Sequence, residues 1–332
     1  MIASPVSSTI DYEMDGIQHG FLSLPHSHDD SGWGSLMIPI TMAKNGTGPT
    51  ALLTGGNHGD EFEGPIALWD LAQTINADEI TGRVIIVPGM NYPAFKASKR
   101  TSPIDGGNMN RVFPGNPAGN ITEKIADYFN RYLLPLADYV LDMHSGGKTM
   151  DFVPFCAAHI LDDKEQQAKC VEAMRAYNAP NSVMLLEIEA TNMYDTAAEN
   201  MGKIFISTEL GGGGTASAKT ISIAKKGVRN LLRHAGITQG ELEVADSTSL
   251  DMPDGNCYVF SESSGLYEIC VDLGCEVKAG DLLGRVHNIE RTGIAPTEYY
   301  AKIDGILAGR HFPGHINMGD FLAVVAVPVD DY

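Results

Sequence analysis

The chain of 332 residues has few cationic side chains for its size. It carries 23 Lys and Arg against 42 Asp and Glu, which gives a formal net charge of −19. Nucleic acids and anionic membranes are bound through basic surfaces, so this balance argues against both as partners. A cationic or zwitterionic small molecule is compatible with the charge, although solubility alone also explains an acidic surface.

Cysteine and long apolar runs are also scarce. The five cysteines are odd in number, scattered and without a Cys-x-x-Cys pair, so we expect reduced thiols and no disulfide framework or thiolate metal site. The longest apolar stretches, such as residues 321–329, are too short to span a bilayer. Residues 1–16 lack the basic and apolar segments of a signal peptide. We therefore expect a cytoplasmic protein with no membrane partner.

Residues 50–61 combine an apolar strand, a glycine turn and two potential metal ligands. The pattern predicts a buried strand over 50–54 and a helix over 62–72. His58 and Glu61 then lie at the carboxyl end of a strand, where open α/β sheets hold their active sites. An imidazole and a carboxylate three residues apart can bind one zinc ion. The alternative is a polar loop whose acidic residues favour the start of a helix.

A second predicted strand, over residues 139–143, ends at His144 and a glycine turn. His144 completes with His58 and Glu61 the His₂Glu set of catalytic zinc sites, which leave a fourth position for water. One zinc ion per chain is therefore the prediction, and two unrelated buried histidines are the alternative. The histidines of residues 25–30 (PHSHDD) lack a supporting strand or helix, so we interpret that segment as a polar loop.

Other polar residues have the right chemistry for turnover and substrate binding. A strand ends at Glu209 before four glycines, and a carboxylate there can act as a general base or pair with a lysine. Residues 95–115 form a long irregular stretch with Arg100, Asn110 and Arg111, and long loops in compact domains are functional or disordered. Arginine suits a substrate carboxylate, while an ion pair within the protein is the alternative.

The secondary-structure pattern divides the chain in two. We predict a catalytic α/β domain over residues 1–240, with N-terminal strands in 1–45, and a β domain over 241–332. Within the second, residues 277–284 are echoed 39 positions later by 316–323. Repeated strand-turn-strand units of this kind are typical of a small pseudo-symmetric β barrel or sandwich.

Four sequence blocks, in this order, resemble the succinylglutamate desuccinylase/aspartoacylase family, relatives of the zinc carboxypeptidases. They are residues 56–61 (GNHGDE), 108–115 (NMNRVFPG), 142–145 (DMHS) and 208–211 (TELG), and the likeness covers about 45–235. It implies a mixed sheet with flanking helices. It also implies roles for individual residues: zinc ligands His58, Glu61 and His144, general base Glu209, oxyanion-stabilising Arg100, and substrate-carboxylate binders Asn110 and Arg111.

By this resemblance we expect a zinc-dependent amidohydrolase that acts on a small N-acyl amino acid. The expected substrate has a free α-carboxylate and a short cationic side chain, most simply N-acetyl-2,4-diaminobutyrate, which is deacetylated in ectoine degradation. Glu187, Glu189 and Asp195 are candidates for attracting the cation, with solvated loops as the alternative. N-acetylaspartate and N-succinylglutamate are the alternative substrates, and would need more basic residues in the pocket than this chain offers.

The C-terminal repeat resembles a biotinyl/lipoyl-type barrel-sandwich hybrid, but no carrier lysine stands near residues 295–298. We expect this domain to form a wall or lid of the pocket without a prosthetic group. A peptide-cleaving carboxypeptidase and a non-catalytic carrier or binding module are the rival functions. A homo-oligomer, most simply a dimer, is compatible with all of these readings.

Overall fold

The computed structural model describes residues 2–185 and 191–330. The helices are α1 Glu63–Thr74, α2 Tyr92–Ala97, α3 Ile121–Tyr128, α4 Lys164–Tyr177, α5 Tyr194–Glu199 and α6 Ala218–His234. The strands are β1 Ser7–Ser8, β2 Gly16–Pro25, β3 Ser35–Asn45, β4 Thr50–Gly55, β5 Gly82–Val87, β6 Tyr139–His144, β7 Met150–Phe152, β8 Phe155–His159, β9 Asn181–Leu185, β10 Ile204–Glu209, β11 Thr248–Asp251, β12 Tyr258–Phe260, β13 Gly265–Ile269, β14 Glu276–Val277, β15 Leu282–His287, β16 Thr297–Tyr300, β17 Gly305–His311, β18 His315–Ile316 and β19 Phe321–Val329.

One large mixed sheet runs through the molecule. Within the described residues its fifteen strands follow the order β1-β2-β3-β5-β4-β6-β10-β8-β9-β11-β19-β17-β14, with β12 beside β19 and β7 beside β17. The central strands β5, β4, β6 and β10 are parallel, whereas β8 is antiparallel to β10. The predicted mixed α/β sheet with flanking helices is therefore confirmed.

The helices cover both faces of this sheet. Leu53 and Leu141 pack in one apolar core with side chains of α1, α4 and α6. Their neighbours Leu52 and Val140 point the other way, into a core shared with α3 and α5. Strands covered on both faces favour apolar residues on both sides, which explains the consecutive apolar residues 51–53 of β4 and 139–141 of β6.

Two helix boundaries differ from the sequence prediction. We expected Asn91-Tyr92-Pro93 to form a turn, but it begins α2, because a proline in the first turn of a helix loses no hydrogen bond. Helix α6 was predicted from residue 222 and begins at Ala218. The Ser217 hydroxyl accepts from the Thr220 N–H at 3.0 Å, and the Thr220 hydroxyl accepts from the Ser217 N–H at 3.0 Å, so a capping box fixes the earlier start.

The C-terminal repeat has a reciprocal pairing pattern. Strands β13 and β15 pair within the first unit, and β17 and β19 pair within the second. The short strand of each unit joins the first strand of the other, so that Ile316 lies opposite Gly265 and Val277 lies opposite Gly305. This exchange confirms that the repeated sequences are structurally equivalent.

The expected barrel is not seen. In the described residues the C-terminal strands form no closed barrel, because β11, β12, β14, β17 and β19 belong to the large sheet. The other four, β16-β15-β13-β18, form a separate sheet, and the two sheets share one apolar core. All-β character was therefore predicted correctly, whereas a closed barrel, one of the two predicted forms, is not confirmed.

The large sheet also crosses the predicted domain boundary. Strand β11 lies parallel to β9 on one side and antiparallel to β19 on the other. The preceding acidic segment is docked on α6, where Glu243 accepts from Arg229 at 3.2 Å and from Arg233 at 2.9 Å. The boundary between residues 240 and 241 stays a prediction. None of the helices in the described ranges is both long and apolar enough to cross a membrane.

Candidate active site

The candidate site lies where the parallel strands β4, β6 and β10 end. The strand register places Gly55 opposite Met143 and His144 opposite Glu209, so the three strands end at adjacent positions on one edge of the sheet. Gly56 then turns with φ of +65°, and its Cα faces Gly89, a close approach that favours glycine. This turn places His58 and Glu61 beside His144.

His58, Glu61 and His144 form a compact group of potential metal ligands. The Glu61 carboxylate lies between the imidazoles, with Oε1 2.8 Å from Nδ1 of His58 and Oε2 2.9 Å from Nδ1 of His144. One ligand atom from each residue lies within 4.8 Å of the others, and in the described part of the chain this is the one such group. The rings of His26 and His28, by contrast, lie 5.4 Å apart with a tilt of 32° and join no metal-ligand group of the described residues.

The Nε2 atom of each imidazole, on the side of the ring away from Glu61, has its own hydrogen-bond acceptor. Nε2 of His144 lies 2.8 Å from Oδ2 of Asp142, and Nε2 of His58 lies 3.1 Å from Oδ1 of Asn108. Asp142 is in turn held by Asn57 and by Thr54, each at 2.8 Å. Proteins commonly orient metal-binding histidines in this way, with the proton on the nitrogen remote from the metal.

Burial and neighbouring charges shift the pKa values of the three residues in different directions. Burial lowers the pKa of His58, which favours the neutral imidazole. Burial opposes charge on His144 too, but the carboxylates of Asp142 and Glu61 outweigh it and raise its pKa well above the usual range. The same imidazoles outweigh burial at Glu61 and hold its pKa far below that of a free carboxyl. Without a metal, the group therefore holds a proton on His144.

Glu209 faces the same space from the end of β10. Burial, together with repulsion from Glu61, raises the pKa of its carboxyl to about 8. Its Oε2 atom is inaccessible and has no hydrogen-bond partner within the described chain. A buried polar atom without a partner is costly, so such an atom is typical of a site completed by a ligand or water. The alternative pairing with a lysine is not seen.

Arg100 and the two predicted substrate-binding residues, Asn110 and Arg111, also border the site. Nη1 of Arg100 lies 3.3 Å from Nδ1 of His58 and 3.7 Å from Oε1 of Glu61. Arg111 donates from Nη1 to the carbonyl of Asn110 at 2.7 Å and has no carboxylate partner among the described residues. Oδ1 of Asn110 accepts from the backbone N–H of Tyr194 at 3.0 Å. The structure thus brings all seven predicted site residues to one place.

A cavity of about 170 Å³ extends from this group along β10. Its described lining includes His58, His144, Glu209, Arg100, Asn110 and Arg111, together with His159, Asp195, Met193 and Phe205. The described lining includes nothing beyond residue 240, so this cavity does not support the predicted C-terminal wall or lid, which stays a prediction. The C-terminal part instead supports the lining residue Met150 from behind, through the pairing of β7 with β17.

Sequence reasoning missed His159 and misjudged Asp195. His159 ends β8, and a strand-ending histidine was the available signal, but the antiparallel placement of β8 could not be seen in the sequence. Asp195 is only 6% exposed and lines the cavity, so the alternative of a solvated loop is wrong for it. Glu187 and Glu189 lie outside the described residues.

The donor set of the site fits a zinc ion. Two neutral imidazole nitrogens and one carboxylate are the three protein ligands of many catalytic zinc sites. Here both Nδ1 atoms face the Glu61 carboxylate, and both Nε2 atoms have acceptors that fix the tautomer. The four sequence blocks thus converge on one metal-binding group.

Comparisons with known proteins agree with this arrangement. The family model for the succinylglutamate desuccinylase/aspartoacylase catalytic domain matches residues 47–235. The N-alpha-acetyl-L-2,4-diaminobutyric acid deacetylase of Halomonas elongata is 55% identical over 98% of this chain and 96% of that protein.

Two solved structures are similar over nearly their whole length. The product-bound ectoine utilization protein EutE of Ruegeria pomeroyi has a TM-score of 0.97 and 61% identity, over 98% of this chain and 100% of that one. A succinylglutamate desuccinylase of a Silicibacter species has the same TM-score and identity, over 99% of this chain and 100% of that one. The chain belongs to the succinylglutamate desuccinylase/aspartoacylase family.

Proposed function

We propose that the protein is a zinc-dependent hydrolase that removes the acetyl group from N-acetyl-L-2,4-diaminobutyrate and so acts in ectoine degradation. The observation that carries the proposal is the meeting of the His₂Glu group with Glu209, Arg100 and Arg111 at one cavity. His58, Glu61 and His144 would hold one zinc ion per chain. A zinc ion supplies a Lewis acid and a water molecule of lowered pKa.

Glu209 is the residue that moves the proton. Its unpartnered Oε2 can accept a proton from the attacking water, and the carboxyl can return it to the leaving nitrogen. A pKa of about 8 shows that the site tolerates the protonated form near neutral pH. A cation beside Glu61 would offset the negative charge that raises this pKa and so favour the basic form before attack.

Arg100 and Arg111 bind the anionic parts of the reactant. Arg100 lies beside the ligand group, where its guanidinium can stabilise the oxyanion that develops on the amide oxygen. Arg111 and Asn110 lie together at the cavity, and a guanidinium without a carboxylate partner suits the substrate α-carboxylate. Because Asn110 is also bonded to Tyr194, its amide has a fixed orientation.

The size and charge of the cavity select among the possible substrates. Pockets for drug-sized ligands measure about 300–1,000 Å³, whereas this one measures about 170 Å³, which disfavours peptides. Its only Lys or Arg side chains in the described lining are Arg100 and Arg111. The similar proteins carry names for different substrates, but N-succinylglutamate has three carboxylates and the proposed substrate has one. The limited positive charge favours the deacetylase.

The test is a comparison of kcat/KM for N-acetyl-2,4-diaminobutyrate, N-acetylaspartate and N-succinylglutamate with zinc-loaded protein. We expect the diaminobutyrate derivative to be preferred. A preference for either acidic compound would overturn the substrate and leave the zinc hydrolase standing. Hydrolysis of none of them, by protein with one zinc per chain, would overturn the hydrolase.

Cellular location and assembly are part of the proposal. All five cysteines are free thiols in the structure, which supports the reducing cytoplasm as the location. A homodimer stays a prediction, which sedimentation of the purified protein measures directly.

A further inference from the structure

We propose that Asp195 is the specificity residue of this enzyme and binds the ammonium group on the substrate side chain. The inference rests on the proposed function, because it assigns a residue to the cationic end of that substrate. Its basis is the position of Asp195, which with Glu209 is one of two carboxylates in the described lining of the cavity and is buried.

Asp195 has a fixed position relative to the substrate-binding residues. It lies in the first turn of α5 and is 6% exposed. The preceding residue, Tyr194, donates its backbone N–H to Oδ1 of Asn110 at 3.0 Å. Asn110, which is proposed to help bind the α-carboxylate, is therefore linked by one hydrogen bond to the residue that precedes Asp195.

Half of the Asp195 carboxylate is used within the protein. Oδ1 accepts from the Thr196 backbone N–H and, at 3.0 Å, from its hydroxyl. Within the described residues, Oδ2 accepts no hydrogen bond, and no Lys or Arg pairs with the carboxylate. A buried carboxylate without a cation is unfavourable, so a cationic ligand at Oδ2 would gain a strong charge-assisted bond.

Two described charges act on Asp195. His159 attracts its carboxylate and Glu199 repels it, and Nδ1 of His159 lies 2.7 Å from Oε1 of Glu199. Burial raises the pKa of Asp195, and a cation bound beside the carboxyl would lower this pKa and favour the ionised form. The described lining of the cavity thus combines this carboxyl with the two guanidinium groups of Arg100 and Arg111.

These opposite charges match one class of ligand. An amino acid with a free α-carboxylate and a side-chain ammonium can place its carboxylate at Arg111 and its ammonium at Asp195 within the one cavity. The small volume favours a short side chain over a long one. Met193 and Phe205, which also line this part, would cover the apolar methylenes.

The test uses Asp195→Asn and two isosteric substrates. Asparagine keeps Oδ1 as an acceptor for Thr196 and removes the charge. N-acetylnorvaline replaces the ammonium of N-acetyl-2,4-diaminobutyrate by a methyl group of similar size. Asp163→Asn is the matched control, because Asp163 also accepts N–H groups at the start of a helix, α4, but does not line the cavity.

We expect wild type and Asp163→Asn to prefer the cationic substrate. In Asp195→Asn, kcat/KM for that substrate should fall by about 10²-fold or more, the range for leaving a buried charge without its partner. The value for N-acetylnorvaline should stay the same or rise, so the preference collapses. An equal loss on both substrates, or an unchanged preference, would overturn the role of Asp195. If wild type fails to cleave the cationic substrate, the proposed function fails first, and equal binding of 2,4-diaminobutyrate to wild type and Asp195→Asn would then overturn the inference independently.

Discussion

The active-site edge and the paired C-terminal sheets use burial in opposite ways. At the edge, buried positions hold ionisable groups such as Glu61, Asp142 and His58. In the C-terminal core the buried residues are mostly apolar, with His311 and Ser261 as buried polar exceptions. The ion pairs of Arg285 with Glu268 and Glu298 lie on the surface. Buried charges cost stability unless they are paired, whereas apolar burial provides it. One region is therefore organised for chemistry and the other for stability.

The largest expected effect is a loss of zinc binding and activity without a loss of the fold. In His144→Ala one of three metal ligands is lost, so zinc content and activity should both fall to background while the circular dichroism spectrum is unchanged. His234→Ala, a histidine on α6 away from the cavity, is the control. Full zinc occupancy in His144→Ala would remove His144 from the ligand set.

Next in size is the effect of removing the proton carrier. Glu209→Gln should bind zinc normally and lose about 10²–10⁴-fold in kcat. Glu63→Gln is a close match, because Glu63 is also buried with a raised pKa but bonds Thr220 and does not line the cavity. Equal losses in the two variants would show that any buried carboxyl near Glu61 matters, and proton transfer by Glu209 would be rejected.

In the C-terminal core we expect a substitution to lower stability and to leave turnover unchanged. Leu322 is fully buried on β19, and Leu322→Ala should lower the free energy of unfolding by about 2–5 kcal/mol while kcat at low temperature is unchanged. Leu266→Ala, on the exposed face of β13, should cost about 0.5 kcal/mol or less. Denaturant titration measures both. A large loss of kcat in folded Leu322→Ala would contradict the conclusion that one region serves chemistry and the other stability.

The smallest expected effect is the number of protons that the protein releases when zinc binds. At pH 7 the metal-free site should hold a proton on His144, whose pKa is raised, and one on Glu209, whose pKa is about 8. Zinc displaces the first directly and lowers the pKa of the second, so binding should release about two protons. Calorimetry in buffers of different ionisation enthalpy counts them. Glu209→Gln should release about one, and an unchanged count would show that Glu209 is ionised before zinc arrives.

The same contrast explains how far the sequence could predict the molecule. The placement of the candidate ligands and of Glu209 was predictable because each follows an apolar run, and parallel strands bring their carboxyl ends together. The positions of Asp195 and His159 in the cavity were not, because they depend on how α5 and the antiparallel strand β8 pack. The choice between barrel and sandwich was open for a related reason: the repeat predicts pairing within the C-terminal units, but not that β19 also pairs with β11.

The pairing of β19 with β11 has a consequence for the order in which the protein can fold during synthesis. Strand β11 leaves the ribosome some 70 residues before β19, and β9 leaves earlier still, so until β19 emerges β11 has no partner on its outer side. Unpaired strand edges promote aggregation. We expect nascent chains arrested after β11 to keep that edge protease-sensitive and to gain protection once residue 329 has emerged. Protection at the earlier arrest point would show that the large sheet is completed without its C-terminal strand.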